Sequence, residues 1–196
     1  MPYAAKDYAK LIGMEGFSET LLKNHFTLYQ GYVTNTNKVL DTLDQMAKDG
    51  KTAIPEFAEL KRRLGWEFNG MRLHEYYFEN LGASGLNKDG KLGKKIAESF
   101  GSYEAWEKDF RATGAMRGIG WVALYQDPAS GRLINFWINE HDVSHPAGCT
   151  LVLIMDVFEH AYMVDYGIKR ADYIEAFFKN INWSAAEARI KSALSG

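Results

Sequence analysis

Two long helical runs joined by a short link constrain this chain more than any other feature. From Glu19 to about Lys48, Leu21, Leu22, His25, Leu28, Tyr29, Tyr32, Val33, Val39, Leu40, Leu43 and Met46 recur at steps of three and four. Ser18 beside Glu19 suits the start of this helix, and Asp49-Gly50 suits its stop. Pro55-Glu56 opens a second run to about Leu81, with Leu60, Leu64, Phe68, Met71, His74, Tyr77, Phe78 and Leu81 on its apolar face. Two such helices with a short connection make an antiparallel hairpin, and each contributes one histidine.

The texture changes after the linker Gly82-Ala-Ser-Gly85-Leu-Asn-Lys-Asp-Gly90. Shorter helices are expected over 91–100 and 103–116. Strands are expected over 118–125 and 132–138, joined by the turn Asp127-Pro-Ala-Ser-Gly131, and a third over 151–155. Helices over 171–180 and 184–194 close the chain, and residues 1 to about 17 read as an irregular arm. The fold class is α+β: a long antiparallel helical hairpin, then a domain with a three-stranded antiparallel sheet and surrounding helices. The expected division is 1–84 for the hairpin and 85–196 for the second domain, with a metal site between them.

Bulk properties exclude several function classes. The 196 residues are 46% hydrophobic and 24% charged, as in ordinary globular proteins. A net charge of −2 offers no basic field for nucleic acid. No stretch approaches the roughly 18 apolar residues of a membrane span, and the first residues lack an apolar signal core. The single cysteine, Cys149, fits a reducing compartment, so a cytoplasmic location is expected.

The run Leu151-Val-Leu-Ile-Met-Asp156 ends in an acid, and His160 follows four residues later beside Glu159. Asp and His at this spacing point the same way when the backbone turns helical, and both ligate transition metals. Taken alone, His25 and His74 each fit an ordinary core histidine better than a ligand, and Asp156 and His160 fit a helix-start acid and a surface histidine equally well. Together they offer three imidazoles and one carboxylate from two halves of the chain, a donor set suited to Mn, Fe or Zn.

In this order and spacing, several motifs resemble the iron/manganese superoxide dismutases over nearly the whole chain. Asp156-Val-Phe-Glu159-His160-Ala-Tyr162 is similar to that family's Asp-x-Trp-Glu-His-Ala-Tyr, with Phe158 in place of the tryptophan. Gly118-Ile-Gly-Trp121, Tyr32-Val-Thr-Asn35-Thr-Asn37, Phe68-Asn-Gly70 with His74, and Arg170-Ala-Asp-Tyr173 followed by Asn180-Ile-Asn-Trp183 match further segments. The resemblance implies disproportionation of superoxide at one Fe or Mn ion per subunit, held by His25, His74, Asp156, His160 and a bound solvent. It implies Tyr32 as the guard of the substrate channel, with Tyr29, Trp121 and Phe158 in the pocket wall. Glu159 takes the place of an acid that reaches the partner subunit's ligand histidine, which implies a homodimer or a tetramer.

The chain departs from the family pattern in three places. One residue fewer separates His25 from Tyr32 than in familiar members, so an ungapped alignment puts Asn24 at the first ligand position. A deletion after His25 restores His25, Tyr29 and Tyr32 to one helical face. Tyr29 and Met163 then replace a gateway histidine and its partner from the other subunit. Gly70 stands where iron-type members often carry an outer-sphere glutamine; the segment Asn139-Glu-His141-Asp-Val-Ser-His145 resembles members in which a histidine takes that role, which implies His141, with Glu140 second and His145 structural. The resemblance leaves Fe and Mn both open. An anionic substrate needs local attraction, for which Lys23, Arg72 and Arg170 are candidates, although each also fits a solvated surface role. The competing reading is an inactive member kept as a metal-binding or scaffold protein.

Overall fold

A computed structural model of the protein describes residues 1–190. The expected hairpin is present as α1 (Glu19–Lys48) and α2 (Pro55–Glu79), two α-helices packed along each other. The Ser18 hydroxyl accepts from the Leu21 N–H and caps α1, and Pro55 opens α2 at a position that has no need of its missing N–H. The N-terminal arm lies across the hairpin. Its Tyr3 exchanges two hydrogen bonds with the Asn37 side chain, and its Lys6 pairs with Glu79.

Next come α3 (Lys91–Phe100) and α4 (Tyr103–Gly114), then β1 (Gly120–Gln126), β2 (Leu133–Asn139) and β3 (Thr150–Asp156). The sheet is antiparallel with order β2-β1-β3, so β1 is central, and all seven of its residues are buried. Such a strand reads as a continuous apolar run rather than an alternation because both faces are covered: α4 packs on β1, and α2 and α7 (Trp183–Arg189) on β3. The chain reverses after β3 in a 3-10 turn (Glu159–Ala161), then forms α5 (Met163–Tyr166) and α6 (Arg170–Lys179).

Several ends differ from expectation by one to five residues. The second helix stops at Glu79 because Asn80 turns out of it and donates from its side chain to the Ile154 carbonyl of β3. The helix expected over 184–194 ends at Arg189, and its last four expected residues, 191–194, lie outside the described residues. A register shift between Leu124 and Tyr125 marks a bulge in β3, and Arg189 takes the free carbonyl of Val152 there. Among the described residues no helix is long and apolar enough to cross a membrane.

Candidate metal centre

Three elements bring the four candidate ligands together. α1 supplies His25, α2 supplies His74, and the end of β3 with its 3-10 turn supplies Asp156 and His160. One ligand atom from each lies within 4.8 Å of every other. Asp156 Oδ2 faces the Nε2 atoms of His160, His25 and His74 at 3.1, 3.2 and 3.7 Å. Donors bound at about 2.1 Å to one ion stand about 3.0 Å apart at right angles and about 3.6 Å apart at 120°. The observed separations match that range to within about 0.1 Å.

The hydrogen-bond pattern supports the same reading. His74 Nδ1 donates to the Gly70 carbonyl at 2.5 Å, which leaves a lone pair on Nε2. That Nε2 is buried and has no hydrogen-bond partner among the described residues. An orphaned imidazole nitrogen at the centre of three other donors is what a metal ligand without its ion looks like. Asp156 Oδ1 accepts from the Phe158 N–H at 2.8 Å, which turns Oδ2 toward the histidines. Tyr173 donates to the Asp156 carbonyl at 2.6 Å and Tyr77 bonds Tyr173 at 3.1 Å, so the strand end is pinned from behind.

Burial favours the neutral form of His25 and His74. It lowers the pKa of His25, against an opposing pull from Asp156, and holds His74 well below the usual range. For Asp156 burial pushes upward, but His160 and His25 outweigh it and the carboxylate lies below its usual range. For these three residues, neutral nitrogens and an ionised carboxylate are the protonation states a metal requires.

Of the two residues open to the first-ligand position, one faces the cluster. α1 runs unbroken through this region; His25 is buried in the cluster and Asn24 is exposed. His25, Tyr29 and Tyr32 do share a face of the helix, but Tyr29 stands one ring removed from the centre, behind Phe78. Its hydroxyl donates to Glu75 and accepts from the Lys6 N–H, both at 3.0 Å, so the N-terminal arm claims it.

Beside the ligands is a chain of three polar groups. Trp121 Nε1 donates to His141 Nδ1 at 3.1 Å, and His141 Nε2 meets the Tyr32 hydroxyl at 2.8 Å. An indole N–H only donates, so neutral His141 carries its proton on Nε2 and donates to Tyr32, leaving the tyrosine proton free. Burial pushes the His141 pKa down to about 4 and the Tyr32 pKa up to about 12. The sheet register places Trp121 opposite Asp156, and β2 ends in a turn at Glu140, with positive φ, that swings His141 inward. His145 has a structural role: its Nε2 donates to the His141 carbonyl and its Nδ1 accepts from Tyr125.

Phe158 stacks between His141 and His160, with centroids 4.7 and 5.3 Å away, and Tyr32 stacks on His74 at 5.3 Å. Sequence reasoning missed Trp66, whose ring meets His141 edge-on at 4.7 Å. Its only signal was a spacing of about two turns from His74. The three cations considered for the channel are engaged elsewhere. Lys23 pairs with Glu19 and Arg72 with Glu75, while Arg170 bonds Tyr162 and the carbonyls of Met116 and Gly118. Glu159 is exposed beside His160 and shares a surface hollow with Met116, Met163 and Ile168.

A helical hairpin closed on a three-stranded antiparallel sheet, with three imidazoles and one carboxylate between them, defines a mononuclear metalloprotein. Residues 88–189 match the family described as iron/manganese superoxide dismutases, C-terminal domain. The chain is 41% identical over 187 residues to the "Superoxide dismutase [Fe]" of Cupriavidus metallidurans, covering 92% of each. It is 37% identical over 195 residues to that of Aquifex pyrophilus, covering 96% of this chain and 91% of the relative. It is 34% identical over 177 residues to "Superoxide dismutase [Mn] 2" of Haloferax volcanii, covering 90% and 87%. The chain belongs to the iron/manganese superoxide dismutase family.

Proposed function

We infer that this chain converts superoxide to dioxygen and hydrogen peroxide with one Fe or Mn ion per subunit, held by His25, His74, Asp156 and His160. The observation that carries this is the convergence of four donor atoms around the orphaned His74 Nε2, beside a hydroxyl that has a proton to give. The ion supplies one-electron oxidation and reduction in alternation. The protein supplies position and protons. Trp121 fixes the tautomer of His141, and His141 holds the Tyr32 oxygen as an acceptor. With its pKa raised to about 12 by burial, Tyr32 stays protonated at neutral pH and presents its hydroxyl proton to the reduced substrate. Phe158 and Trp121 exclude bulk water and lower the local dielectric.

The same reading divides the chain at residues 84 and 85, two ligands coming from each part. It also makes the molecule a homodimer in the cytoplasm, with Glu159 of each subunit reaching the other's His160. Exposed apolar side chains surround Glu159 in support: Met163 is 43% exposed, Ile168 93% and Met116 47%. A complete donor set argues against an inactive scaffold, since a scaffold has no use for it. The test is elemental analysis of purified protein, with superoxide consumption measured after reconstitution with Fe or with Mn. Stoichiometric metal with no activity above that of the free ions would establish the scaffold instead.

A further inference from the structure

The anion must reach Tyr32 and His141 through a protein whose net charge is −2. Every cation considered from the sequence is engaged away from that pair. One guanidinium stands beside it. Arg63, on α2, lies over the Trp66 ring at 5.4 Å, and the same ring meets His141 edge-on at 4.7 Å. Arg63 is thus one aromatic ring from the outer-sphere histidine, and its charge acts on both His141 and Tyr32.

Its setting is built rather than incidental. Glu67 is 3% exposed and binds Arg63 Nε through Oε1 at 2.7 Å. Arg63 Nη2 meets the same oxygen at 2.7 Å, and Glu67 Oε2 has no partner among the described residues. The carboxylate is inside and the guanidinium, 55% exposed, is outside, so the pair presents its positive end to solvent. Neighbouring Arg62 is engaged by Glu59. Asp142 on the facing loop packs over Gly65, so without Arg63 the rim beside Trp66 would be acidic.

We propose that Arg63, oriented by Glu67 and Trp66, is the positioning residue that draws the superoxide anion to the Tyr32–His141 pair. This rests on the dismutase reading above. A unit charge about 10 Å from an anion in aqueous surroundings changes local concentration by about twofold, and more where low-dielectric walls focus the field.

The test compares wild type with Arg63→Lys, Arg63→Gln and the double variant Arg63→Gln/Glu67→Gln, all loaded with the same metal. Lys108→Gln, an exposed site on α4, serves as the control of equal charge. The readouts are the second-order rate constant against ionic strength and the affinity for azide followed by absorbance. The expected result for Arg63→Gln is a two- to threefold lower rate at low salt, a flatter salt dependence and weaker azide binding, with Arg63→Lys and Lys108→Gln close to wild type. Arg63→Gln alone leaves a buried carboxylate unpaired, so the double variant is decisive. It stays slow at low salt if Arg63 attracts the anion. Recovery of wild-type rate, salt slope and azide affinity in the double variant means that Arg63 only neutralises Glu67, and the proposal is then wrong. An inactive wild type defeats the dismutase reading instead.

Discussion

Gly70 makes the tightest geometric demand near the site, and replacing it with alanine gives the sharpest prediction. A Cβ there would lie 2.5, 2.7 and 2.8 Å from three atoms of the Tyr32 ring, whereas ordinary contact begins at 3.4 Å. The ring would have to retreat by about 0.9 Å, because the helix backbone on the other side is fixed by its own hydrogen bonds. A shift of that size takes the 2.8 Å bond from Tyr32 to His141 to the limit of hydrogen bonding or beyond. Helix propensity favours alanine by about 1 kcal/mol, and overpacking costs about 1–3 kcal/mol. The net is a loss of about 1 kcal/mol, or about 2–4 °C in Tm for a chain of this length. Loss of the hydrogen bond, worth about 1–1.5 kcal/mol, is expected to slow turnover about tenfold at unchanged metal content. Thermal melts, elemental analysis and superoxide consumption measure the three quantities. A Gly70→Ala protein that melts higher than wild type and keeps its rate would refute the claim that this glycine seats Tyr32.

His25→Ala is expected to lose bound metal and activity together while Asn24→Ala keeps both, as read by elemental analysis; the reverse result would move the first ligand to Asn24. In metal-free protein the His141 pKa is about 4 against 6.5 when unfolded. The unfolded state therefore binds more protons between those values, and stability is full above pH 6.5 and falls as pH drops toward 4, by about 3 kcal/mol at most from this residue. Denaturant titrations of metal-free His141→Gln should show a shallower acid dependence than wild type, and equal slopes would contradict that assignment. The proposed homodimer is expected to shift toward monomer in analytical ultracentrifugation when Glu159 is replaced by alanine, and an unchanged mass would remove Glu159 from the proposed interface.

Much of this molecule is legible in its sequence. Periodicity gave α1 and α2 because long amphipathic helices signal themselves locally, and Ser18 and Pro55 marked their starts. The apolar run ending at Asp156, with His160 one turn on, showed half a ligand set, and the histidines of the hairpin showed the rest. Helix ends were less legible. Asn80 leaves α2 to serve β3, and no local signal announces a partner so distant in sequence.

The periodicities and residue types along the chain thus determined the fold class and the candidate donors His74, Asp156 and His160, since short-range patterns and residue chemistry are properties of the sequence. Packing decided the remainder. Only packing distinguished His25 from Asn24, by turning one inward. Only the turn at Glu140 put His141 between Trp121 and Tyr32 and so fixed where its proton sits. Only the hairpin's register seated Tyr32 on Gly70 and set Trp66 and Arg63 beside His141. Those relations join residues far apart in sequence, and their energies depend on distances that exist only once the chain has folded.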